Sequence, residues 1–538
     1  MSLIQPPEIF SIHGTLQTTI SLEYGTVNIG NSNMELQSRL FNGGFPGPTL
    51  RIKPGDTLKI NFENNLESQG PGYVHNQYSA ADESNLHFHG LHVSGELPSD
   101  DATYFVEPGE FYNYSTTLPD YHMPGTFWMH PHRHGSTTLQ IGGGALSAII
   151  VEDEPGSLPQ EVEDATEIIL VAHYMNIGEF AAITRASNDP LFSMTNSLPG
   201  EFIMVNGQIN PIISTRAGEW MRFRVIWNNF FEGSLNMRVD GCEMQLLAKD
   251  GIYIRDFPRP IGFAPIVPGG RADIMVRCPE PSKTYNILGL GSRMASIVTT
   301  SDPAVDSKTL EQWAPDYPEY LTDLRGVAAS PGCGCTTQMF GNSVNNLPFA
   351  TNQILHTSYI GAVVERTLAV NDHPYHQHVY PYQLVSGFDG GYDQIGDWHD
   401  TVIGNGVIRY VPTEYTGKIM VHCHRLIHED LGMMATENVT SSGTCTCTPP
   451  VDFTAAIVGG SVALVVVIGL AVYCCIRRRR LRRERQEAST EETEAPAENK
   501  IRDLTAEDSN GSSESNDVEP GAATNFSGSP AGFETVAL

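Results

Sequence analysis

The sequence predicts an all-β chain of several β-sandwich domains. The prediction rests on the alternation of apolar and polar residues and on the amino-acid composition. Short alternating or apolar runs, such as residues 57–62 (TLKINF) and 221–225 (MRFRV), recur between Gly and Pro with few stretches of helical period. Gly (51) and Pro (35) are frequent and charged residues make up 17%, a balance that favours strands and turns over helices. The 538 residues are 40% hydrophobic, enough to fill several cores, so disorder of the whole chain is excluded.

Breaks rich in acidic residues and Pro divide the chain near 152–166 and 301–348. We expect three sandwiches, at residues 1–155, 160–300 and 346–440, with a linker at 301–345 between the last two. The net charge of −30 would repel a phosphate backbone, so nucleic acid is excluded as a partner.

One transmembrane helix is predicted at residues 455–476, where 22 residues carry no charge. Six arginines follow between 477 and 483, so the positive-inside rule places the tail at 477–538 in the cytosol and the sandwiches outside the cell or in a lumen. A buried core helix is the alternative interpretation. The polar composition of the tail predicts disorder. Residues 1–14 lack the pattern of a signal peptide, and we expect that the natural start precedes this sequence.

Cysteine usage also favours an oxidising compartment. Apart from Cys423 and two cysteines in the predicted membrane helix, an even number remains: Cys242, Cys278, Cys333, Cys335, Cys445 and Cys447. The close pairs Cys333/Cys335 and Cys445/Cys447 could join the end of the third domain to the segment before it, but spacing leaves their connectivity open. Asn113 and Asn438 lie in N-x-S/T sequons and are candidate glycosylation sites.

Ten of the 18 histidines fall into four clusters: residues 87–89 (HFH), 130–132 (HPH), 373–378 (HPYHQH) and 422–428 (HCHRLIH). A single H-x-H is weak evidence, because most histidines are ordinary core or surface residues. Four such clusters together indicate metal binding.

Strand geometry explains the fourth cluster. Side chains at i and i+2 share one face of a strand, so His422 and His424 can bind one metal cluster while Cys423 faces the other side. His373, His428 and a weak axial Met433 can join the thiolate of Cys423, which gives the ligand set of a blue copper centre. Eight further imidazoles suit copper or zinc, and the adjacent redox-active thiolate centre favours copper.

These clusters resemble the four copper-binding motifs of the multicopper oxidases, a family of laccases, ferroxidases and bacterial copper-efflux oxidases. Residues 86–91 (LHFHGL), 127–135 (FWMHPHRHG) and 428–434 (HEDLGMM) are most similar to the bacterial three-domain members. The resemblance implies three cupredoxin-like Greek-key sandwiches with a trinuclear copper cluster between the first and third. It also implies four copper ions and the reduction of O₂ to water.

The resemblance assigns every ligand position. A type 1 copper would be held by His373, Cys423, His428 and Met433, and a type 2 copper by His87 and His376. The type 3 pair would be held by His89, His130, His132, His378, His422 and His424. His92 and His134 lie outside this pattern, and we interpret them as supporting or surface residues.

Oxygen reduction also consumes protons, which family members supply through carboxylates near the cluster. Glu429 matches one such position, and Asp100 or Asp101 is the candidate for the other. The alternative is that all three are ordinary solvated acids.

The sequence leaves the substrate open between three hypotheses. A metallo-oxidase acting on Fe²⁺ ahead of Cu⁺ is similar to the membrane-tethered iron-uptake ferroxidases of fungi, and a metal permease would then be a partner. Asp389, Asp393 and Asp397 in the segment 389–400 are candidate Fe²⁺ ligands, the alternative being a polar loop with a structural Asp400. The second hypothesis is a laccase-like oxidase of phenols. The third is a non-catalytic surface protein that keeps the sandwich fold.

Overall fold

The computed structural model describes residues 1–28, 35–68, 72–187, 193–195, 200–231, 233–388 and 390–451. The predicted membrane helix at 455–476, the tail at 477–538 and Asp389 lie outside the described residues. Within the ranges described, no helix has the length and apolar character needed to cross a bilayer.

The first group of strands forms two five-stranded sheets, ordered β1-β4-β9-β8-β6 and β11-β3-β2-β5-β7. Leu22 and Phe62 from one sheet and Phe88 and Ile149 from the other share a single buried core, as expected for a sandwich. The elements are β1 (Glu8–Phe10), β2 (Thr15–Asn28), β3 (Glu35–Phe41), β4 (Thr49–Ile52), β5 (Thr57–Asn64), β6 (His87–His89), β7 (Phe111–Thr117), β8 (Gly125–His130), α1 (Thr137–Gly142), β9 (Ser147–Val151) and, later in the chain, β11 (Ser193–Thr195).

The second group also forms two sheets around one core, to which Val225 and Ile287 contribute from opposite sheets. The larger sheet has the order β12-β10-β14-β19-β16-β17 with β18 on β16, and the smaller has the order β13-β21-β20-β15. The elements are α2 (Gln160–Glu163), β10 (Thr166–Asn176), α3 (Ile177–Ala186), β12 (Glu201–Val205), β13 (Ile212–Thr215), β14 (Trp220–Asn228), β15 (Arg238–Val239), β16 (Glu243–Lys249), β17 (Ile252–Tyr253), β18 (Arg259–Pro260), β19 (Arg271–Arg277), β20 (Thr284–Gly289) and β21 (Ser292–Thr299).

The third group forms two six-stranded sheets, ordered β23-β22-β25-β30-β27-β28 and β29-β26-β31-β32-β24-β33. A 3₁₀ turn at Glu319–Leu321 precedes it. The elements are β22 (Gly334–Phe340), β23 (Ser343–Val344), β24 (Ile354–Tyr359), β25 (Val364–Ala369), β26 (Tyr375–Gln377), β27 (Tyr382–Ser386), β28 (Trp398–His399), β29 (Thr401–Val402), β30 (Gly406–Tyr410), β31 (Gly417–Cys423), α4 (Leu426–Glu429), β32 (Met434–Thr440) and β33 (Thr446–Cys447).

The described chain is therefore mostly β, as predicted, but the third sandwich begins earlier than residue 346. Strands β22 and β23 lie in the predicted linker 301–345, and β22 pairs in parallel with β25. The buried positions of β22 alternate at Cys335, Thr337 and Met339, but a threonine occupies the middle one, so the sequence GCTTQMF shows no clear apolar alternation.

The structure establishes which cysteines form disulfide bonds, which their spacing in the sequence left open. Cys242 is bonded to Cys278, Cys333 to Cys445 and Cys335 to Cys447. Two of the three bonds thus join β22 and the residue before it to the chain around β33, across a separation of 112 residues.

Candidate metal centre

Strand pairing brings the four histidine clusters together two by two. His87 on β6 lies opposite His130 on β8, so the first two clusters adjoin within the first sandwich. On the third sandwich, His376 of β26 lies opposite His422 of β31. The two halves meet where Nε2 of His132 lies 3.1 Å from Nε2 of His422.

Eight imidazoles form one buried cluster, and each of them is at most 2% exposed. Six of these rings fall into two sets of three. In one, Nε2 of His422 lies 3.1 Å from Nε2 of His132 and 3.2 Å from Nε2 of His378. In the other, Nδ1 of His89 lies 3.3 Å from Nε2 of His130, and the ring of His424 lies 5.0 Å from that of His89. Each set draws ligands from both sandwiches.

The remaining two rings, His87 and His376, lie with their centroids 5.8 Å apart. Nδ1 of His87 is hydrogen-bonded to Asp100, and Nδ1 of His376 to the backbone carbonyl of Asp400. Because Nδ1 is held in each ring, Nε2 is left as the ligand atom. Both Nε2 atoms are buried and have no hydrogen-bond partner among the described residues.

Such unpartnered nitrogens fit bound metal ions. A buried polar atom without a partner costs free energy, and a metal ion would satisfy it. Both ring nitrogens of His424 are in the same condition within the described part of the chain. Burial and the neighbouring histidines lower the pKa of His87, His378 and His422, so these rings are neutral near pH 7 and can donate a lone pair.

A separate set of candidate ligands surrounds Cys423. Its Sγ lies 3.6 Å from Nδ1 of His373 and 3.8 Å from Nδ1 of His428, and the two nitrogens are 3.1 Å apart. Met433 is fully buried in the same sandwich core as Cys423, and its carbonyl accepts the Cys423 N–H. Burial raises the pKa of the Cys423 thiol to about 12, so a proton leaves when a cation binds the sulfur.

Alternation along β31 links the two centres. Cys423 faces the third core, whereas His422 and His424 face the eight-imidazole cluster, and the three residues are consecutive. His422 belongs to one set of three rings and His424 to the other. Cys423 is therefore joined by one peptide bond to each of the two sets of three rings, through His422 on one side and His424 on the other.

Of the three acids predicted to deliver protons, Asp100 and Glu429 contact the histidine cluster and Asp101 does not. Asp100 is buried and bonded to His87, and burial raises the pKa of its carboxyl. Asp101 instead accepts two hydrogen bonds from Thr103 in a local turn. Glu429 is fully buried, with Oε2 3.3 Å from Nδ1 of His422, and burial and the charge of Asp430 raise its pKa. Asp100 and Glu429 are therefore not the solvated acids of the alternative interpretation.

Two of the three candidate iron-binding aspartates, Asp393 and Asp397, are already ion-paired. Asp397 is 6% exposed and paired with Lys249 and Arg259, and Asp393 is paired with Lys249 and lies near His399. Buried cations from the second sandwich already satisfy both carboxylates, so neither offers an open cation site.

Asp400, next to this group, reaches the cluster itself. Its Oδ1 lies 3.2 Å from Nε2 of His89, and both carboxylate oxygens accept hydrogen bonds from Arg271. Burial acts to raise the pKa of Asp400, but the charge of Arg271 holds it below its usual range. The sequence gives no signal for Arg271, because it lies 129 positions away on the second sandwich.

The two histidines outside the pattern are both buried supports. Nδ1 of His92 bonds the carbonyl of Val379, and its ring stacks on Tyr320 with centroids 4.2 Å apart. Nε2 of His134 bonds Oδ1 of Asn76. Burial lowers the pKa of His92 to about 4.

A His₂Cys set whose buried cysteine lies between two histidines of an eight-imidazole cluster is the donor chemistry of a copper oxidoreductase. Family models described as multicopper oxidase match residues 22–156 and 318–442. The chain belongs to the multicopper oxidase family, whose members are oxidoreductases that use four copper ions.

Several known proteins are similar to this chain. The multicopper oxidase mco of Staphylococcus aureus is 22% identical over 74% of this chain and 83% of its own length. The laccase of Bacillus subtilis is 23% identical over 74% of this chain and 90% of its own. The iron transport multicopper oxidase fetC of Epichloe festucae is 29% identical, but over 40% of this chain and 32% of its own. A multicopper oxidase structure from Campylobacter jejuni, described as a metallo-oxidase, shares the fold with a TM-score of 0.62, 18% identity and coverage of 81% of this chain and 95% of its own.

Proposed function

We propose that this protein couples one-electron oxidation of a small reducing substrate to the four-electron reduction of O₂ to water. The observation that carries the proposal is the position of Cys423 between His422 and His424, with its sulfur on the opposite face of β31. When bound, copper ions would supply the redox chemistry by accepting single electrons near the surface and passing four of them to O₂. The chain holds the two centres a fixed distance apart.

The proposed ligands follow from the contacts. His373, Cys423, His428 and Met433 would hold the type 1 ion, and His87 and His376 the type 2 ion. The two sets of three rings would each hold one type 3 ion: His89, His130 and His424, and His132, His378 and His422. Ring-nitrogen distances support the set of His132, His378 and His422 and the pair His89 and His130. The 5.0 Å separation of the His424 and His89 rings supports placing His424 with that pair.

Two carboxyls support proton delivery to bound oxygen. Asp100 and Glu429 are buried, each touches an imidazole of the cluster, and burial raises the pKa of both above the usual range. A carboxyl with a raised pKa can take up a proton more readily and pass it on as reduced oxygen becomes basic. Asp101 is left out of this role.

We propose Fe²⁺ or Cu⁺ as the substrate, with electron entry at the rim of the Cys423 site. His373 and His428 are only partly buried, and the side chain of the neighbouring Asp372 is 70% exposed. The Asp372 carboxylate can bind a cation next to His373, from which the cation can pass an electron to the Cys423 site. The names of the Epichloe festucae and Campylobacter jejuni relatives, an iron transport multicopper oxidase and a metallo-oxidase, are consistent with a metal substrate. A metal permease is the partner that this substrate implies.

A laccase-like oxidation of phenols is the second candidate. Arg425 forms an ion pair with Asp372 at 3.0 Å and offsets its negative charge, which favours a neutral donor over a cation. The Bacillus subtilis relative is named a laccase.

Steady-state comparison of Fe²⁺, Cu⁺ and a phenol on the copper-loaded protein and on Asp372→Asn tests the proposal. If the substrate is a metal ion, the wild-type protein should have a higher kcat/KM for Fe²⁺ or Cu⁺ than for the phenol. Asp372→Asn should then raise the KM for the metal ion and leave the KM for the phenol unchanged. Asp323→Asn is the matched control, because Asp323 is also an exposed acid paired with an arginine. Phenol turnover well above that of both ions, with no change in Asp372→Asn, would contradict the metal substrate.

We further propose that the sandwiches lie outside the cell or in a lumen, tethered by a membrane helix at 455–476. The three disulfides support an oxidising compartment. Exposed Asn113 on β7 is available for glycosylation there. Protease protection of the 477–538 tail in sealed vesicles tests the topology, and digestion of the tail from the outside would contradict it.

A further inference from the structure

A second group of metal-ligating side chains lies on the third sandwich, outside the four histidine clusters. The sulfurs of Cys335 and Cys447 and a ring nitrogen of His356 lie within 4.8 Å of one another. Cys335 is on β22, His356 on β24 and Cys447 on β33, and His356 and Cys447 are direct partners across their two strands. The backbone therefore holds all three donors in place.

The environment of the His356 imidazole suits a metal ligand. It is 1% exposed, its Nδ1 lies 3.3 Å from the Thr448 amide nitrogen, and its Nε2 is buried without a hydrogen-bond partner among the described residues. A neutral imidazole carries one ring proton, so a metal ion bound at Nε2 requires that proton on Nδ1 and the loss of the long Thr448 contact. Burial lowers the pKa of His356 to about 4, against an opposing effect of Glu437, so the ring is neutral and able to ligate near pH 7. This unsatisfied nitrogen is the observation that distinguishes the group from an ordinary disulfide.

The two parallel disulfides differ in access. Cys447 is exposed, so a soluble thiol can reach the sulfur of the Cys335–Cys447 bond. Cys333 of the neighbouring bond is fully buried and its partner Cys445 is only partly exposed. The Cys335–Cys447 bond should therefore be reduced first, while Cys333–Cys445 still holds β22 beside the end of the chain.

We propose that Cys335, Cys447 and His356 form a Cu⁺ site that the disulfide closes and a dithiol opens. A dithiol supplies two electrons and two protons, the S–S bond breaks, two cysteine thiols form, and the dithiol becomes its own disulfide. Cu⁺ then replaces the two thiol protons. Two sulfurs and one nitrogen suit soft Cu⁺, whereas a structural Zn²⁺ site takes four protein ligands.

The test uses the full chain with its family copper ions already bound. Anaerobic treatment with dithiothreitol, desalting and titration with Cu⁺ against a bidentate Cu⁺ chelator should leave one more copper on the reduced protein than on the oxidised protein. Alkylation and mass spectrometry on the same sample should find Cys335 and Cys447 as thiols before the other four disulfide cysteines. These two measurements need no variant to fold.

Variants then locate the extra ion. The double variant Cys335→Ser/Cys447→Ser should lose the additional copper, and His356→Gln should release it to lower chelator concentrations. The matched control Cys242→Ser/Cys278→Ser, which removes the second sandwich's disulfide, should retain it. Failure of the reduced protein to gain copper while Cys335 and Cys447 are free thiols would overturn the proposal. Retention of the extra copper in Cys335→Ser/Cys447→Ser, or its displacement by equimolar Zn²⁺, would also do so.

Discussion

Nδ1 of His87 lies 2.9 Å from Oδ2 of Asp100, which joins a proposed copper ligand to the loop that follows its own strand. Oδ1 of the same carboxylate accepts the Phe88 N–H at 2.9 Å, so the loop is anchored to the ligand strand at two points. The contact keeps Nε2 of His87 directed at the cluster, because the other ring nitrogen is occupied.

Asp100→Asn should therefore weaken the site through His87. The amide has one accepting oxygen in place of two, so it cannot accept from both His87 Nδ1 and the Phe88 N–H. We expect a loss of about 10- to 100-fold in copper affinity or turnover, the usual cost of losing a group that orients a metal ligand. Copper content and the electron paramagnetic resonance signal of the type 2 ion measure the effect. Asp101→Asn is the control, since Asp101 bonds Thr103, and it should behave as wild type. Equal losses in the two variants would refute the role assigned to Asp100.

Glu429→Gln should slow oxygen reduction without slowing electron entry. Glu429 lies 3.3 Å from the His422 ring and accepts a hydrogen bond from Thr137, so the isosteric amide keeps the packing but cannot release a proton. We expect kcat to fall with O₂ as acceptor. Anaerobic reduction of the Cys423 site by substrate, followed by stopped-flow absorbance, should keep its wild-type rate. An unchanged kcat across the pH range would remove Glu429 from proton delivery.

Cys423→Ser should abolish the blue absorption band and substrate oxidation together. A hydroxyl replaces the thiolate ligand that gives such centres their colour and their electron path. Copper analysis should find three ions per chain where the family has four, because the eight-imidazole cluster keeps its ligands. Substrate oxidation at the wild-type rate in this variant would contradict the proposed entry site.

Arg366→Met should destabilise the third sandwich. Arg366 and Glu437 form an ion pair at 2.8 Å with both side chains 1% exposed, and Tyr410 also donates to Glu437. Removing the cation leaves a buried, unpaired carboxylate, at a cost of about 3–5 kcal/mol in the free energy of unfolding. Chemical denaturation measures it. The double variant Arg366→Met/Glu437→Leu removes both charges and should recover much of the loss, and no recovery would exclude the buried charge as the cause.

Acid should destabilise the protein as the pH falls below about 6.5. Burial lowers the pKa of His122 and His173 to about 3, whereas in the unfolded chain both have the ordinary value of 6.5. The unfolded state therefore binds protons first, and the stability that these neutral rings contribute above pH 6.5 is lost progressively towards pH 3. Thermal denaturation between pH 7.5 and 4 should show a falling Tm. His173→Gln should flatten the slope, and an identical slope would rule out His173 as a contributor.

Three features were predictable from the amino-acid sequence: the family, the mostly β fold and the residue types around the candidate metal sites. These features are local: alternation along a strand puts Cys423 and its histidine neighbours on opposite faces, and ligand chemistry depends on residue type. The sequence did not locate β22, because a threonine occupies its central buried position and interrupts the apolar alternation, and the strand is recognised by its pairing with β25.

Only the tertiary structure separated the acids. Asp100 and Asp101 are adjacent in the chain, yet one is bonded to a copper-ligand candidate and the other closes a surface turn. The choice depends on burial and on partners that come from distant segments, as Arg271 does for Asp400 and Lys249 for Asp397. The same holds for His356, whose approach to Cys447 depends on strand pairing across about ninety residues. The neutralisation of these charges and the burial of these side chains arise from contacts between sandwiches or between distant strands. Such contacts cannot be read from the local pattern of a single sequence.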